Sequence, residues 1–255
     1  MKFSKYEGIG NDFIVVDRPE IDAILARRLC DRRLGIGADG VLVVEPGEAA
    51  LFRMTVWNAD GSVAEMCGNG LRCVGRHLQR TVEDLPERFT VETGAGPLWV
   101  SVDDDAVTAQ IGVVRDHGNR VIEVDQYTFE GQLLSTGNPH FVLFEPVDDA
   151  IMSTYGPILE RHSTFSDGAN ISFASRLGPT ELKLTVWERG CGFTQACGTG
   201  ACATTVAGWL GGYLEPDQPI TVHLPGGSLE ISGDASNVIM RGPATHVFDG
   251  HWAGA

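Results

Sequence analysis

The feature that most constrains this chain is that it repeats itself. Thr55-Val56-Trp57 is followed, ten residues after the tryptophan, by Cys67-Gly68-Asn69-Gly70. Thr185-Val186-Trp187 is followed at the same distance by Cys197-Gly198-Thr199-Gly200, so the copies stand 130 residues apart (67 to 197). Upstream, Gly10-Asn11 leads into the apolar run Phe13 to Val16, and Gly137-Asn138 leads into Phe141 to Phe144, an offset of 127 (10 to 137). Two echoes at nearly one offset, about half of the 255 residues, imply two homologous halves. We place them at 1–113 and 114–242, with 243–255 returning to the first half through a strand around Thr245 to Phe248. The competing reading is that two C-G-x-G turns arose separately, each to begin a helix.

Both halves read in the same coarse order. Strand-like runs, β-branched or aromatic and bounded by Gly, Pro, Asn or Asp, include Phe13–Val16, Val41–Val44, Phe52–Val56 and Trp99–Val102. The second half offers Phe141–Phe144, Leu182–Val186 and Ile220–His223. A helix follows each C-G-x-G, over about Gly70 to Thr81 and about Gly200 to Tyr213. In the second, Ala201, Cys202, Ala203, Val206, Ala207, Trp209 and Leu210 leave almost no polar face, so the helix is expected to be buried all round. The first is similar around Leu71, Cys73, Val74, Gly75 and Leu78, with Arg72, Arg76 and Arg80 expected along an exposed edge. Strands and helices do not alternate as in a doubly wound sheet. The expected fold is α+β: two homologous, pseudo-symmetric domains, each a mostly antiparallel sheet wrapped around a central buried helix.

Cys67 and Cys197 each stand in the turn that enters a buried helix. A helix N-terminus presents free N–H groups and the positive end of the dipole, which is expected to lower a thiol's pKa. The glycines that follow are expected to let the backbone approach a small anion and adopt positive φ. The amides of Gly68-Asn69 and Gly198-Thr199 can then hold one carboxylate together. Duplication gives a pair of such thiols, and a pseudo-twofold relation would set them facing each other across one site. Inverting a stereocentre requires removing a proton from one face of a carbon and returning one to the other, work suited to one thiolate and one thiol. The carbanion needs stabilisation, which many racemases obtain from pyridoxal phosphate on a lysine. Only Lys2, Lys5 and Lys183 occur, none in a convincing cofactor context, so preorganised amides in a dry site are the remaining device.

The other sequence signals narrow the partners. A formal charge of −15 argues against nucleic acid, because phosphate neutralisation needs a basic face. No stretch approaches the roughly 18 apolar residues that span a membrane, and the N-terminus carries no apolar signal region, so the expectation is a cytoplasmic protein. The six cysteines include no C-x-x-C pair, which speaks against disulfide staples and against zinc.

At this point the motifs match a family. Gly8-Ile9-Gly10-Asn11-Asp12-Phe13, Asn58-Ala59-Asp60-Gly61-Ser62, Cys67 through Cys73, Gly137-Asn138-Pro139-His140, and Glu188-Arg189-Gly190 through Ala196-Cys197-Gly198-Thr199-Gly200 resemble those of diaminopimelate epimerases. The resemblance runs on to Leu224-Pro225-Gly226-Gly227-Ser228 and the Thr245–Gly250 tail. It implies an isomerase that interconverts LL- and meso-diaminopimelate on the route to lysine and peptidoglycan precursors, with no cofactor and no metal. It implies a pair of similar domains with the site in the cleft, a closing motion on binding, and a homodimer. Carried over by motif, Cys67 and Cys197 are the acid/base pair. His140 and Glu188 neighbour them and help set their protonation, Glu188 also lying near the substrate amino group. Amides at Gly68, Asn69, Gly198 and Thr199 hold the reacting carboxylate, and Asn11, Asn58, Asn138, Asn170 and Arg189 recognise the rest of the substrate.

Plainer readings stand beside these roles. Asn58 and Asn138 can form Asx turns, His140 can be a satisfied core histidine, and Glu188 and Arg189 can simply balance charge. Cys191 and Phe193 depart from the family pattern, Phe193 four residues before Cys197, which bears on substrate preference. The alternatives are a cofactor-independent racemase of another amino acid, of histidine or proline type, a non-catalytic amino-acid- or zinc-binding protein, and a thiol oxidoreductase.

Overall fold

The computed structural model describes residues 1–17, 20–144 and 148–254. Two compact units emerge: Met1–Gln110 together with Arg241–Ala255, and Ile111–Met240. In the first, β1 (Lys2–Gly8) and β2 (Asn11–Val16) form a hairpin with Gly8 opposite Asn11. Its two turn residues, Ile9 and Gly10, both take positive φ, at 51° and 85°. Such a tight primed turn matches the strand twist, but a β-branched residue enters it at a cost of about 1–2 kcal/mol. Burial of Ile9, only 4% exposed, offsets that strain. Helix α1 (Ala23–Cys30) then crosses to β3 (Gly40–Pro46), parallel to β2, and β4 (Phe52–Asn58) returns antiparallel to β3. The short β5 (Val63–Ala64) folds back on β4. Helix α2 (Gly68–Thr81) leads to β6 (Arg88–Thr93), parallel to β4, and β7 (Gly96–Val102) and β8 (Val107–Gly112) continue as an antiparallel meander.

The second unit repeats this plan. β9 (Arg115–Val124) and β10 (Tyr127–Ser135) pair antiparallel, β10 pairs with β11 (Pro139–Leu143), and α3 (Asp149–Glu160) crosses to β12 (Asn170–Gly178), parallel to β11. β13 (Glu181–Glu188) runs back along β12 and carries the short β14 (Gly192–Phe193). Helix α4 (Gly198–Leu210) leads to β15 (Ile220–Leu224), parallel to β13, followed by β16 (Gly227–Asp234) and β17 (Asn237–Gly242). The tail strand β18 (Thr245–His251) lies antiparallel along β1, occupying in the first unit the place that β9 occupies along β10 in the second. The fold is α+β, mostly antiparallel, with helices bridging the two parallel pairs of each unit.

The helices α2 and α4 are central because their sequences leave them nothing else to do. In α4 the buried residues run Gly198, then Gly200 through Gly208 without a break. Small side chains there admit strands on every side. In α2, Leu71, Val74 and Leu78 are at most 3% exposed, each worth about 1.5–3 kcal/mol on burial. Three expectations change here. The α4 helix ends at Leu210, short of Tyr213, because the Tyr213 and Leu214 amides turn back onto the Gly208 carbonyl. Arg72 is fully buried, not on an exposed edge; its Nε donates to the Pro243 carbonyl beside the tail strand. The glycines of the two C-G-x-G motifs take no positive φ, since they are already helical. Their purpose is proximity: a Cβ on Gly70 would lie 3.0 Å from Leu42, and one on Gly200 would lie 3.1 Å from Val186 and 3.2 Å from the Cys197 sulfur.

Candidate active site

Cys67 and Cys197 hold equivalent positions as the N-caps of α2 and α4, each in extended backbone. The amides that follow lie in the first helical turn, where a helix has no acceptor of its own for its N–H groups. Cys67 is half-buried, and its sulfur accepts from the Gly70 N–H at 3.4 Å. Asn69 beside it is 3% exposed and donates through Nδ2 to Asn11 Oδ1 at 3.2 Å. Asn11 Nδ2 in turn donates to Asp39 at 2.7 Å. Asn58 closes the β4–β5 turn, its N–H on the Ser62 carbonyl at 2.8 Å and its Nδ2 on Ser62 Oγ at 2.9 Å. Asn11, Asn69 and Cys67 thus share one neighbourhood in the first unit.

In the second unit Cys197 is 4% exposed, and its sulfur lies 3.6 Å from Thr199 Oγ1. That hydroxyl is a junction. His140 Nε2 stands 3.1 Å from it and Asn138 Nδ2 donates to it at 3.4 Å. Asn170 Nδ2 donates to the Pro139 carbonyl at 3.1 Å and lies 3.5 Å from His140 Nε2, while Asn170 Oδ1 accepts the Arg189 backbone N–H at 2.9 Å. Glu188 Oε1 accepts from Thr194 Oγ1 at 2.5 Å, and the Arg189 guanidinium donates to the Asp167 carbonyl at 2.7 Å. His140, Asn138, Asn170, Glu188, Arg189, Thr199 and Cys197 are therefore brought together, with Gly198 opening the helix.

The electrostatics of this cluster differ from what a helix start alone suggests. The Cys197 thiol is pushed well above the ordinary range, first by burial and then by the Glu188 carboxylate, against the opposing pull of the Thr199 hydroxyl and Gly200 N–H. Desolvation outweighs the dipole, so Cys197 is held as a thiol, a proton donor. Burial, helped by the Arg189 charge, lowers His140 to about 3, so its imidazole is neutral at physiological pH. His140 reaches Cys197 through the Thr199 hydroxyl and acts on it as a hydrogen-bonding group, not as a fixed positive charge.

Two contributors carry no sequence signal of their own. The Thr199 side chain, expected to matter only through its amide, joins His140 to Cys197. Glu160, 6% exposed at the end of α3, accepts from Trp187 Nε1 at 2.8 Å and from the Gly190 N–H at 3.0 Å, clamping the turn that carries Glu188 and Arg189. An acidic residue at a helix end gives no hint of this; only its lodging in a core, where a carboxylate must find donors, reveals it. Among the described residues no disulfide joins any of the six cysteines, no group of three or more His, Cys, Asp or Glu is placed to hold a metal, and no helix is long and apolar enough to cross a membrane.

The family model for diaminopimelate epimerase matches residues 3–121 and 132–247. The chain belongs to the diaminopimelate epimerase family. It is 42% identical to the diaminopimelate epimerase of Desulforudis audaxviator over 280 aligned positions covering all of both chains, and 41% identical to that of Moorella thermoacetica over 98% of each. Epimerase-fold neighbours extend well beyond that identity. A hydroxyproline epimerase from Agrobacterium vitis superposes with a TM-score of 0.74 at 14% identity, over 98% of this chain and 91% of that one. A Bacillus anthracis protein of the PhzF family reaches 0.76 at 14%, over 98% and 97%. These likenesses confirm the fold of the diaminopimelate epimerases for both units.

Proposed function

We propose that this chain interconverts LL- and meso-diaminopimelate without cofactor or metal, by two-base proton transfer between Cys67 and Cys197. The observation that carries the reading is the equivalence of the two thiols. Each caps a buried helix at the same step of a repeated plan, in a chain that aligns end to end with diaminopimelate epimerases. One thiolate takes the α-proton as the C–H electron pair moves onto the α-carbon and into the carboxylate. The other thiol delivers its proton to the opposite face and is left as the thiolate, so the charge on the pair is unchanged. Amides of Gly68, Asn69, Gly198 and Thr199 receive the carboxylate where negative charge grows, stabilisation worth about 3–4 kcal/mol for each lost donor in comparable sites.

In this reading Glu188 and His140 set the protonation of the Cys197 side, His140 through Thr199, and Glu188 also meets the substrate ammonium. Asn11, Asn58, Asn138, Asn170 and Arg189 recognise the rest of the substrate, including its distal end, for which an Arg guanidinium is well built. The substrate class suits a cytoplasmic biosynthetic enzyme, and the family resemblance carries the expectation of a homodimer. A racemase acting on a different amino acid is the second reading, favoured by Phe193, which stands 43% exposed against Trp187 four residues before Cys197.

The test is α-proton exchange by NMR in deuterated water with LL-diaminopimelate and reduced protein. The expected result is loss of the α-proton signal with appearance of the meso isomer, absent in Cys67→Ala and Cys197→Ala. Exchange with another amino acid alone moves the specificity and keeps the thiol pair. Activity retained in either cysteine variant sinks the mechanism.

A further inference from the structure

The parallel registers align the site ends of the two units residue by residue. Phe13 lies beside Gly40 in one, and His140 beside Asn170 in the other. One step earlier Asp12 stands beside Asp39 in the first unit, where the second has Pro139 and Ala169. Asp39 N–H donates to the Asp12 carbonyl at 2.9 Å, and the Asp39 carbonyl takes the Ala59 N–H at 3.1 Å. Where the second unit carries no charge at this step, the first has two carboxylates, which left alone would repel.

Two cations resolve the conflict. Lys5 Nζ, its side chain 9% exposed, lies 2.6 Å from Asp12 Oδ2 and also donates to the Gly37 carbonyl. Arg32 grips both Asp12 oxygens, at 3.1 and 2.6 Å, and reaches Asp39 Oδ1 at 2.8 Å. Burial alone would raise Asp12, but Arg32 and Lys5 prevail and hold it at about 2, ionised throughout the working range. The remaining Asp39 oxygen, Oδ2, accepts Asn11 Nδ2 at 2.7 Å and the Asp12 N–H at 3.1 Å. Asn11 then holds Asn69 on α2, and the Asp39 carbonyl holds Ala59 next to Asn58. Three asparagines from β2, the end of β4 and the first turn of α2 hang on this four-charge cluster.

We infer that Lys5, Asp12, Arg32 and Asp39 form a charge-balanced positioning network that sets Asn11 and Asn58 for the non-reacting part of the substrate, with the Asn69 side chain braced on Asn11. The inference rests on the proposed role of those asparagines in diaminopimelate binding. None of the four need touch the reacting carbon. Loosening them weakens binding of ground state and transition state alike, which raises KM and spares kcat.

The experiment measures KM, kcat and thermal midpoint for wild type, Arg32→Ala, Arg32→Lys and the double variant Lys5→Met/Asp12→Asn. Arg32 is 58% exposed along its side chain, so its loss is compatible with folding, and the double variant removes a buried charge together with its partner. Arg241→Ala, which breaks the 2.8 Å pair with Asp103, serves as the comparison for an ordinary ion pair in the same unit. KM is expected to rise about tenfold in Arg32→Ala and the double variant, with kcat within about threefold. Arg32→Lys recovers part of the loss, and Arg241→Ala keeps wild-type KM. Active wild type with KM unchanged in Arg32→Ala and the double variant overturns the network alone. So does a KM rise that merely follows a fall in thermal midpoint and appears equally in Arg241→Ala. Wild type that fails to exchange the α-proton of diaminopimelate overturns both this inference and the function on which it rests.

Discussion

His140 offers a sharp test of the site's electrostatics through stability. Its imidazole has no exposure to solvent, and burial, with the Arg189 charge, brings its folded pKa to about 3 against the ordinary histidine value of 6.5. A histidine with a depressed folded pKa contributes stability that is whole above the unfolded value. It is lost as pH falls from about 6.5 towards about 3, because the unfolded chain takes up a proton that the folded one refuses. From pH 7 to pH 5 the loss is about 2 kcal/mol, and over the full window it reaches about 5 kcal/mol. The assay is urea unfolding at pH 7, 6 and 5 for wild type and His140→Gln. Every other titrating group contributes nearly equally to both, so the difference between their pH slopes isolates His140. Wild type should lose about 2 kcal/mol more than the variant across that interval. Parallel slopes would mean that the imidazole is already protonated or solvated in the native state, and the neutral relay through Thr199 would fall with it.

Gly200→Ala should destabilise by about 1–3 kcal/mol in chemical unfolding, since its Cβ would press on Val186 and the Cys197 sulfur, while Gly212→Ala meets no neighbour but strains a φ of +69°. If Gly200→Ala keeps full stability and activity, the close seating of α4 is not required. Mass-spectrometric timing of iodoacetamide labelling should find Cys67 modified before Cys197, because one is half-buried and the other buried as a thiol; the reverse order would contradict that asymmetry. Glu160→Ala removes both acceptors from the Trp187 and Gly190 N–H groups and should cost about 2–3 kcal/mol with a shift in tryptophan emission; an unaltered spectrum would show that the clamp is not needed.

The repeat and its two thiols are legible in the sequence because each half had to keep the same steric solution: a strand with Trp next to its end, a tight return, then a glycine-lined helix start. The helices α1 and α3 are harder to see. The first has only eight residues, and the second contains Gly156 and Pro157, which weaken any helical pattern. Arg72 misleads for a different reason. Arginine on a helix normally marks solvent, and its partner here, the Pro243 carbonyl, is 171 residues away, beyond the reach of any local pattern. The pKa of Cys197 runs opposite to the helix-start expectation because a helix start is a local fact, whereas enclosure and the Glu188 charge arise from tertiary packing. The four-charge cluster around Asp12 is hidden likewise, with its members scattered from residue 5 to residue 39 and joined only by the β2–β3 register.

The tail strand also orders events during synthesis. Residues 245–251 lie along β1, so the edge of the first unit is supplied by residues translated after the whole of Ile111–Met240, which is contiguous. On the ribosome the second unit can finish while the first still waits with one flank of β1 uncovered. The half that is made first is completed last, and a nascent chain halted before residue 245 presents an open strand edge to whatever chaperone or sister chain is near.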